Sequence, residues 1–225
     1  MNFIYITGVF SLIIQIITGI IGIYSIKLPI PPSFYLINEL VVLEIIVQLV
    51  EAIFYIWMIY KFSTIKNITH FRYYDWAITT PTMLTTFIFY LMFLRDRENG
   101  IISKPFISEL KDNWSIVLKV AILDWLMLLC GYLGEKHIFS FVSTTIVGFI
   151  PFFLMFYLIY VNFASYSKTG RTIFWYFSIV WAIYGVAAVL PYHIKNTMYN
   201  ILDIFAKNFF GIFLSYVLYK ASKQM

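Results

Sequence analysis

Lys207 stands about ten residues from either end of an otherwise apolar run near 197–220, too deep to reach water along its own helix. A lysine in that setting must be paired or neutral. Asp203 precedes it by four residues and Asn200 by seven, so on a helix all three share one face. A second run, near 71–94, carries Arg72, Asp75, Thr79 and Thr86 within an arc of roughly 60° at 3.6 residues per turn. One lysine, one arginine and two aspartates could neutralise each other between two such helices. A buried amine is also a nucleophile for a carbonyl compound, and the cation formed would need a counterion, for which Asp75 and Asp203 are placed. Trp76, Trp181 and Tyr184 offer aromatic walls nearby. A network that only fixes helix register is the plainer alternative, but it costs more desolvation than it usually returns.

The elements that would hold these residues are membrane helices. Of 225 residues, 61% are hydrophobic, 21% aromatic and only 12% charged, and the mean hydropathy is +0.83. A water-facing surface of this size wants roughly a quarter of its residues charged, so soluble folds and disorder are excluded. With so few charges, the net +5 points to anionic lipid and not to nucleic acid. One cysteine, Cys130, allows no internal disulfide and no zinc cluster. At about 30 residues per crossing with its loop, the chain holds about seven spans.

Apolar runs near 3–26, 33–60, 71–94, 113–133, 138–163, 171–191 and 197–220 fit that count, and no soluble domain remains. The expectation is a single seven-helix, all-α membrane domain over 1–225. The N-terminal run has no basic leader segment, so it is expected to stay as the first helix. Lys27, Arg95, Arg97, Lys104, Lys111, Lys119, Lys168, Arg171, Lys220 and Lys223 fall on one side, and Lys61, Lys66, Lys136 and Lys195 on the other. That bias predicts an external N-terminus and a cytoplasmic C-terminus. His70, His137 and His193 are expected to be solvated at outer helix ends, and Glu39 is read as near a helix end.

In the second run Glu44, Gln48 and Glu51 align within roughly 60°. Aligned polar residues in a span border a water-filled path or hold helices together by hydrogen bonds. With Ser11, Gln15, Asn200, Asn208 and Ser215 they could form a hydrated route between the first, second, third and seventh helices, and its carboxylates would favour cations.

The third run reads Arg72-Tyr73-Tyr74-Asp75-Trp76-Ala77-Ile78-Thr79-Thr80-Pro81, and the seventh reads Leu202-Asp203-Ile204-Phe205-Ala206-Lys207 followed by Phe210-Gly211. Trp181-Ala182-Ile183-Tyr184, Asp124-Trp125-Leu126-Met127 and Gly131 accompany them. These stretches resemble the microbial rhodopsins over all seven spans. The resemblance implies all-trans-retinal joined to Lys207 as a protonated Schiff base. It implies Asp75 and Asp203 as counterions with Arg72 beneath them and Thr79 beside them. It implies a pocket of Trp76, Thr80, Met127, Gly131, Trp181 and Tyr184, and a hydrogen bond between Asp124 and Thr80. No enzymatic activity is implied. Homo-oligomers, and a plasma or internal membrane of a host cell, are.

Four features depart from the family pattern, the first two in the proton path of its pumps and the last two in the pocket. Thr86 stands where pumps carry a cytoplasmic carboxylate, and threonine does not ionise usefully. No acidic residue lies between Lys168 and Leu202, while Gly185 and Ala188 replace a proline and a pocket tryptophan. With the glutamate-bearing second helix, the chain is similar to light-gated cation channels and, more narrowly, to the rhodopsins of giant algal viruses. The expected function is a light-gated channel for monovalent cations and protons. An outward proton pump and then a sensory photoreceptor are the alternatives.

Overall fold

A computed structural model describes residues 3–224. Long apolar stretches with no water to satisfy the backbone must close their hydrogen bonds internally, and they do so as helices. The order is α1 (Phe3–Ser25), α2 (Tyr35–Lys61), α3 (Thr69–Glu98), α4 (Phe106–Glu135), α5 (Phe141–Asn162), α6 (Lys168–Ala188), α7 (Tyr192–Asp203) and α8 (Phe209–Ser222). Short 3₁₀ turns, Pro32–Phe34 and Ala164–Tyr166, lead into α2 and follow α5. Between α7 and α8 the chain forms a π-helical turn, Ile204–Asn208, so these two helices make one crossing. Among the described residues, seven helical stretches are long and apolar enough to cross a membrane. The protein is an integral, multi-pass membrane protein.

α3 is the most enclosed span, while α4 and α6 show most of their surface outward. Large exposed side chains such as Phe10, Ile53, Tyr74, Phe153 and Ile179 would be an aggregation hazard in water and are ordinary against lipid. Prolines sit inside two helices, Pro81 in α3 and Pro151 in α5. Pro81 has no N–H to give the Ala77 carbonyl oxygen, and Trp125 Nε1 from α4 donates to that oxygen at 2.9 Å, the kind of side-chain satisfaction that makes such prolines tolerable in a membrane.

The helices overrun the apolar runs. α4 begins at Phe106, not 113, and α3 continues to Glu98, not 94. Glu, Lys and Arg are good helix formers, so a helix continues into the interface after hydropathy has fallen. The break expected over 95–112 therefore shrinks to the segment between Glu98 and Phe106. The sixth helix ends at Ala188, and Pro191 caps the next one instead of closing the last.

Carboxylates hold the end of the bundle nearest the C-terminus. Glu39 Oε2 accepts from the Phe106 N–H at 2.7 Å, so this residue caps α4 from α2. Glu98 accepts from Ser167 Oγ at 2.7 Å and from the Lys168 N–H at 3.2 Å, tying α3 to the start of α6. At the other end Lys195 Nζ meets Glu135 Oε1 at 2.5 Å and lies over the Phe141 ring. Lys195 is thus a buried α4–α7 tie and not the loop charge that its place before a predicted span suggested.

Candidate functional site

Lys207 is 2% exposed and lies in the π turn. The turn is defined by the Phe209 N–H donating to the Ile204 carbonyl, one residue wider than α-helical spacing. Asn208 Nδ2 donates to the Asp203 carbonyl at 3.4 Å, and Thr18 Oγ1 donates to Asn208 Oδ1 at 3.4 Å, so α1 braces the turn. Such turns re-aim side chains, and here the amine faces α2 and α3.

Three carboxylates meet the amine. Lys207 Nζ lies 2.9 Å from Glu51 Oε1, 3.3 Å from Asp203 Oδ1 and 3.4 Å from Asp75 Oδ2. The spacing of Asp203, Asp75 and Lys207 predicted two of these neighbours. Glu51, expected along the ion route, is the shortest of the three.

Asp203 is held on several sides. Tyr55 OH donates to its Oδ2 at 2.7 Å and Tyr184 OH to its Oδ1 at 2.9 Å, while Arg72 Nη1 stands 3.6 Å away. Arg72 is fully buried. Its Nε donates to Asn196 at 3.1 Å, its Nη1 to Tyr55 OH at 3.3 Å, and its Nη2 bonds Asn200 Oδ1. Asn200 Nδ2 also donates to the Ile4 carbonyl and to Thr7 Oγ1, each at 2.9 Å. Tyr55 and Asn196 escaped the sequence reading. A signal for Tyr55 existed, because it continues the Glu44, Gln48, Glu51 stripe four residues on.

The expected ion-route residues divide into groups. Glu51 joins the amine and Asn200 joins Arg72. Ser11 and Gln15 pair within α1 at 3.3 Å, and Asn208 braces the π turn. Glu44 and Gln48 are buried, with no hydrogen-bond partner for their side-chain polar atoms among the described residues. With Thr18, Gly211 and Ser215 they border a gap too narrow to hold a water molecule. These side chains do not line an open route through the bundle.

On the other side of the amine lies a cavity of about 800 Å³, its mouth included, bounded by Trp76, Thr80, Met83, Met127, Gly131, Trp181, Tyr184 and Lys207 among others. All six side chains expected to form a pocket border it. Thr80 Oγ1 donates to Asp124 Oδ2 at 2.6 Å, joining α3 to α4. Thr79 Oγ1 donates to the Asp75 main-chain carbonyl at 3.1 Å and not to its carboxylate. A Cβ at Gly131 would sit 2.5 Å from Tyr73 OH, so only glycine lets that ring close this wall.

The cavity suits an apolar, elongated aldehyde. One end is a lysine amine among carboxylates, the remainder is mostly apolar and aromatic, and Trp76 and Trp181 supply flat walls. Glu51 Oε2 and Asp75 Oδ1 retain acceptor capacity beside the amine.

Both ends of the bundle are closed around the site. Phe87 stacks on Phe177 at 4.2 Å between ring centroids, and Phe210 meets Phe177 at 5.6 Å. These rings separate the cavity from the end that bears the C-terminus. Arg72, Tyr55 and Tyr199 fill the opposite side.

The family described as Bacteriorhodopsin-like protein matches residues 3–221, and the chain belongs to that family. It is a microbial rhodopsin by fold and family. Among solved structures, a viral rhodopsin, OLPVRII, superimposes with a TM-score of 0.81 at 26% identity, covering 96% of this chain and 98% of that one. A blue light-absorbing proteorhodopsin from Med12 superimposes with a TM-score of 0.77 at 20% identity over the whole of both chains. A green-light absorbing proteorhodopsin of Gamma-proteobacterium EBAC31A08 is 25% identical over 176 residues. That match takes in 69% of this chain and 64% of the relative, less than two thirds of its length.

Proposed function

We propose that the chain is a retinal-binding photoreceptor that works as a light-gated cation channel. One observation carries the reading: Glu51, from the polar stripe of α2, lies 2.9 Å from the Lys207 amine. The light-sensitive charge and one carboxylate of the expected ion route, Glu51, therefore belong to one network.

All-trans-retinal, condensed through its aldehyde carbon onto Lys207 Nζ with loss of water, would supply a light-driven change of shape and leave Nζ with a single proton to give up and regain. Trp76, Thr80, Met127, Gly131, Trp181 and Tyr184 would hold its length. Glu51, Asp75 and Asp203 balance the positive charge at Nζ and accept its proton, acting as a coupled set. Three carboxylates face two cations, so a proton passing from Nζ to one of them leaves the net charge of the cluster unchanged. It does remove the ion pairs that hold Glu51 and Asp203 toward the amine. Arg72 then loses part of its Asp203 partnership, and Glu51, Gln48 and Glu44 are freed to admit water. Cations follow their gradient between α1, α2, α3 and the seventh crossing, α7 with α8, until Nζ recovers its proton. Resting closure rests on the Phe87–Phe177–Phe210 layer and on the Arg72 layer, with the N-terminus outside and the C-terminus in the cytoplasm.

An outward proton pump is the second reading, favoured by Asp75 standing 3.4 Å from the amine on α3. Voltage-clamp recording of light-evoked current separates the two. A channel current changes sign with voltage, and its reversal follows the sodium or potassium gradient. A current that stays outward at every accessible voltage, whatever the gradients, overturns the channel reading.

A further inference from the structure

The Lys207 amine is enclosed, yet an aldehyde of polyene length must reach it. Neither end of the bundle offers a way in. The ring layer of Phe87, Phe177 and Phe210 stops one end, and the buried Arg72 layer stops the other. Each would have to come apart, the second at the cost of exposing an arginine that has bonds to Asn196, Asn200 and Tyr55. The side of the bundle is the remaining approach, and an apolar aldehyde is already dissolved there, in lipid.

The lateral seams are not alike. α4 and α5 pack along an extended face, whereas α5 and α6 touch over a short one. Near the C-terminal side this seam is shut by rings: Phe156 against Phe174 at 5.9 Å and Trp181 at 6.0 Å, and Tyr160 against Phe174 at 5.2 Å. Toward the other side Phe149, which meets Phe152 at 5.5 Å and Phe153 at 5.7 Å on its own helix, is the last α5 ring bordering the cavity. Thr145 of α5 and Gly185 and Ala188 of α6, all small, border the cavity there. Phe149 is the large side chain on that stretch. A Cβ placed on Gly185 would come within 2.4 Å of its ring, so the ring rests directly on the glycine backbone. The cavity is not fully enclosed, and neither Phe149 nor Gly185 is fully buried.

We infer that the α5–α6 seam at Phe149 and Gly185 is a lateral portal through which a long apolar aldehyde passes from the bilayer to Lys207, with the Phe149 ring as its gate. The inference rests on the retinal reading and adds the route of loading. The Phe149 ring meets only apolar neighbours, Phe152 and Phe153 on its own helix and Gly185 across the seam, so it swings aside by rotation about its own bonds without breaking a hydrogen bond or exposing a charge, as parting the Arg72 layer would.

The test is the rate at which colourless apoprotein in lipid nanodiscs becomes pigmented after all-trans-retinal is added. Phe149→Ala removes the gate and should shorten the half-time by about threefold or more. Thr145→Trp fills the aperture and should lengthen it by about tenfold, equal to about 1.4 kcal/mol on the barrier. Each variant is first shown to be monodisperse and helical. If Thr145→Trp does not fold, Phe149→Ala decides alone. Pigment that forms at the wild-type rate in the folded variants overturns the portal and leaves the retinal reading standing. A wild-type protein that never colours removes both.

Discussion

A lysine amine that faces Glu51, Asp75 and Asp203 inside a membrane is a charge held by its partners, and each partner acts differently when it is removed. A carboxylate beside Nζ stabilises the state in which positive charge sits on the nitrogen. Replacing it weakens that stabilisation and moves absorption to longer wavelength. Glu51→Gln and Asp75→Asn should each shift the absorption maximum of the reconstituted protein to the red; an unchanged spectrum in Glu51→Gln would place that residue outside the counterion set. Glu44 takes no part in the amine cluster and should act on conduction instead. Glu44→Gln is expected to reduce the light-evoked cation current severalfold and to move its reversal, and full current with unchanged reversal would remove Glu44 from the route. Asp203, Asp75, Arg72 and Lys207 were legible because each pair is local to one helix and helical spacing places it. The contact of Glu51 with Lys207 was not, since it depends on how α2 packs against the seventh crossing. The π turn also matters here: the sequence gives no warning of one extra residue in that turn.

Among the elements, α3 is the enclosed hub, and its aromatic contacts close the bundle. Phe87 is fully buried between Phe177 and Phe210. Phe87→Ala leaves a cavity whose cost is about 3–5 kcal/mol if the site cannot collapse. It should lower the thermal midpoint and raise the current measured in darkness. A dark current equal to the wild type would show that this layer is not a barrier. The Lys195–Glu135 pair is the corresponding tie between α4 and α7. Lys195→Ala strands a buried carboxylate and should cost about 3–5 kcal/mol, read as a fall in midpoint. Hydropathy placed all seven crossings but misjudged their ends, because Glu39 and Glu98 cap neighbouring helices through contacts that no single run of residues displays. The seam between α5 and α6 was equally hidden. Gly185 was visible as a departure from the family pattern, but its Phe149 partner was not.

At the scale of the whole molecule, seven crossings put the two ends of the described chain on opposite faces, and the proposed orientation, N-terminus outside, follows from the excess of basic residues on the other side. An epitope tag at the N-terminus should be reached by antibody on intact cells, and one at the C-terminus only after permeabilisation. The reverse pattern would invert the direction assigned to every current. The fold class was readable from composition and run length alone, as lipid leaves a chain few ways to satisfy its backbone. The closed state of the polar stripe was not readable, because the same residues at the same spacing suit a hydrated path and a set of interhelical bonds.

The whole account turns on the chemistry of one amine. Reconstituting the protein with all-trans-retinal, reducing it with borohydride and sequencing its peptides by mass spectrometry locates the covalent adduct. The expected result is a retinyl mass on Lys207 and a colourless Lys207→Ala variant. An adduct on another lysine, or a Lys207→Ala protein that still becomes pigmented, would contradict it.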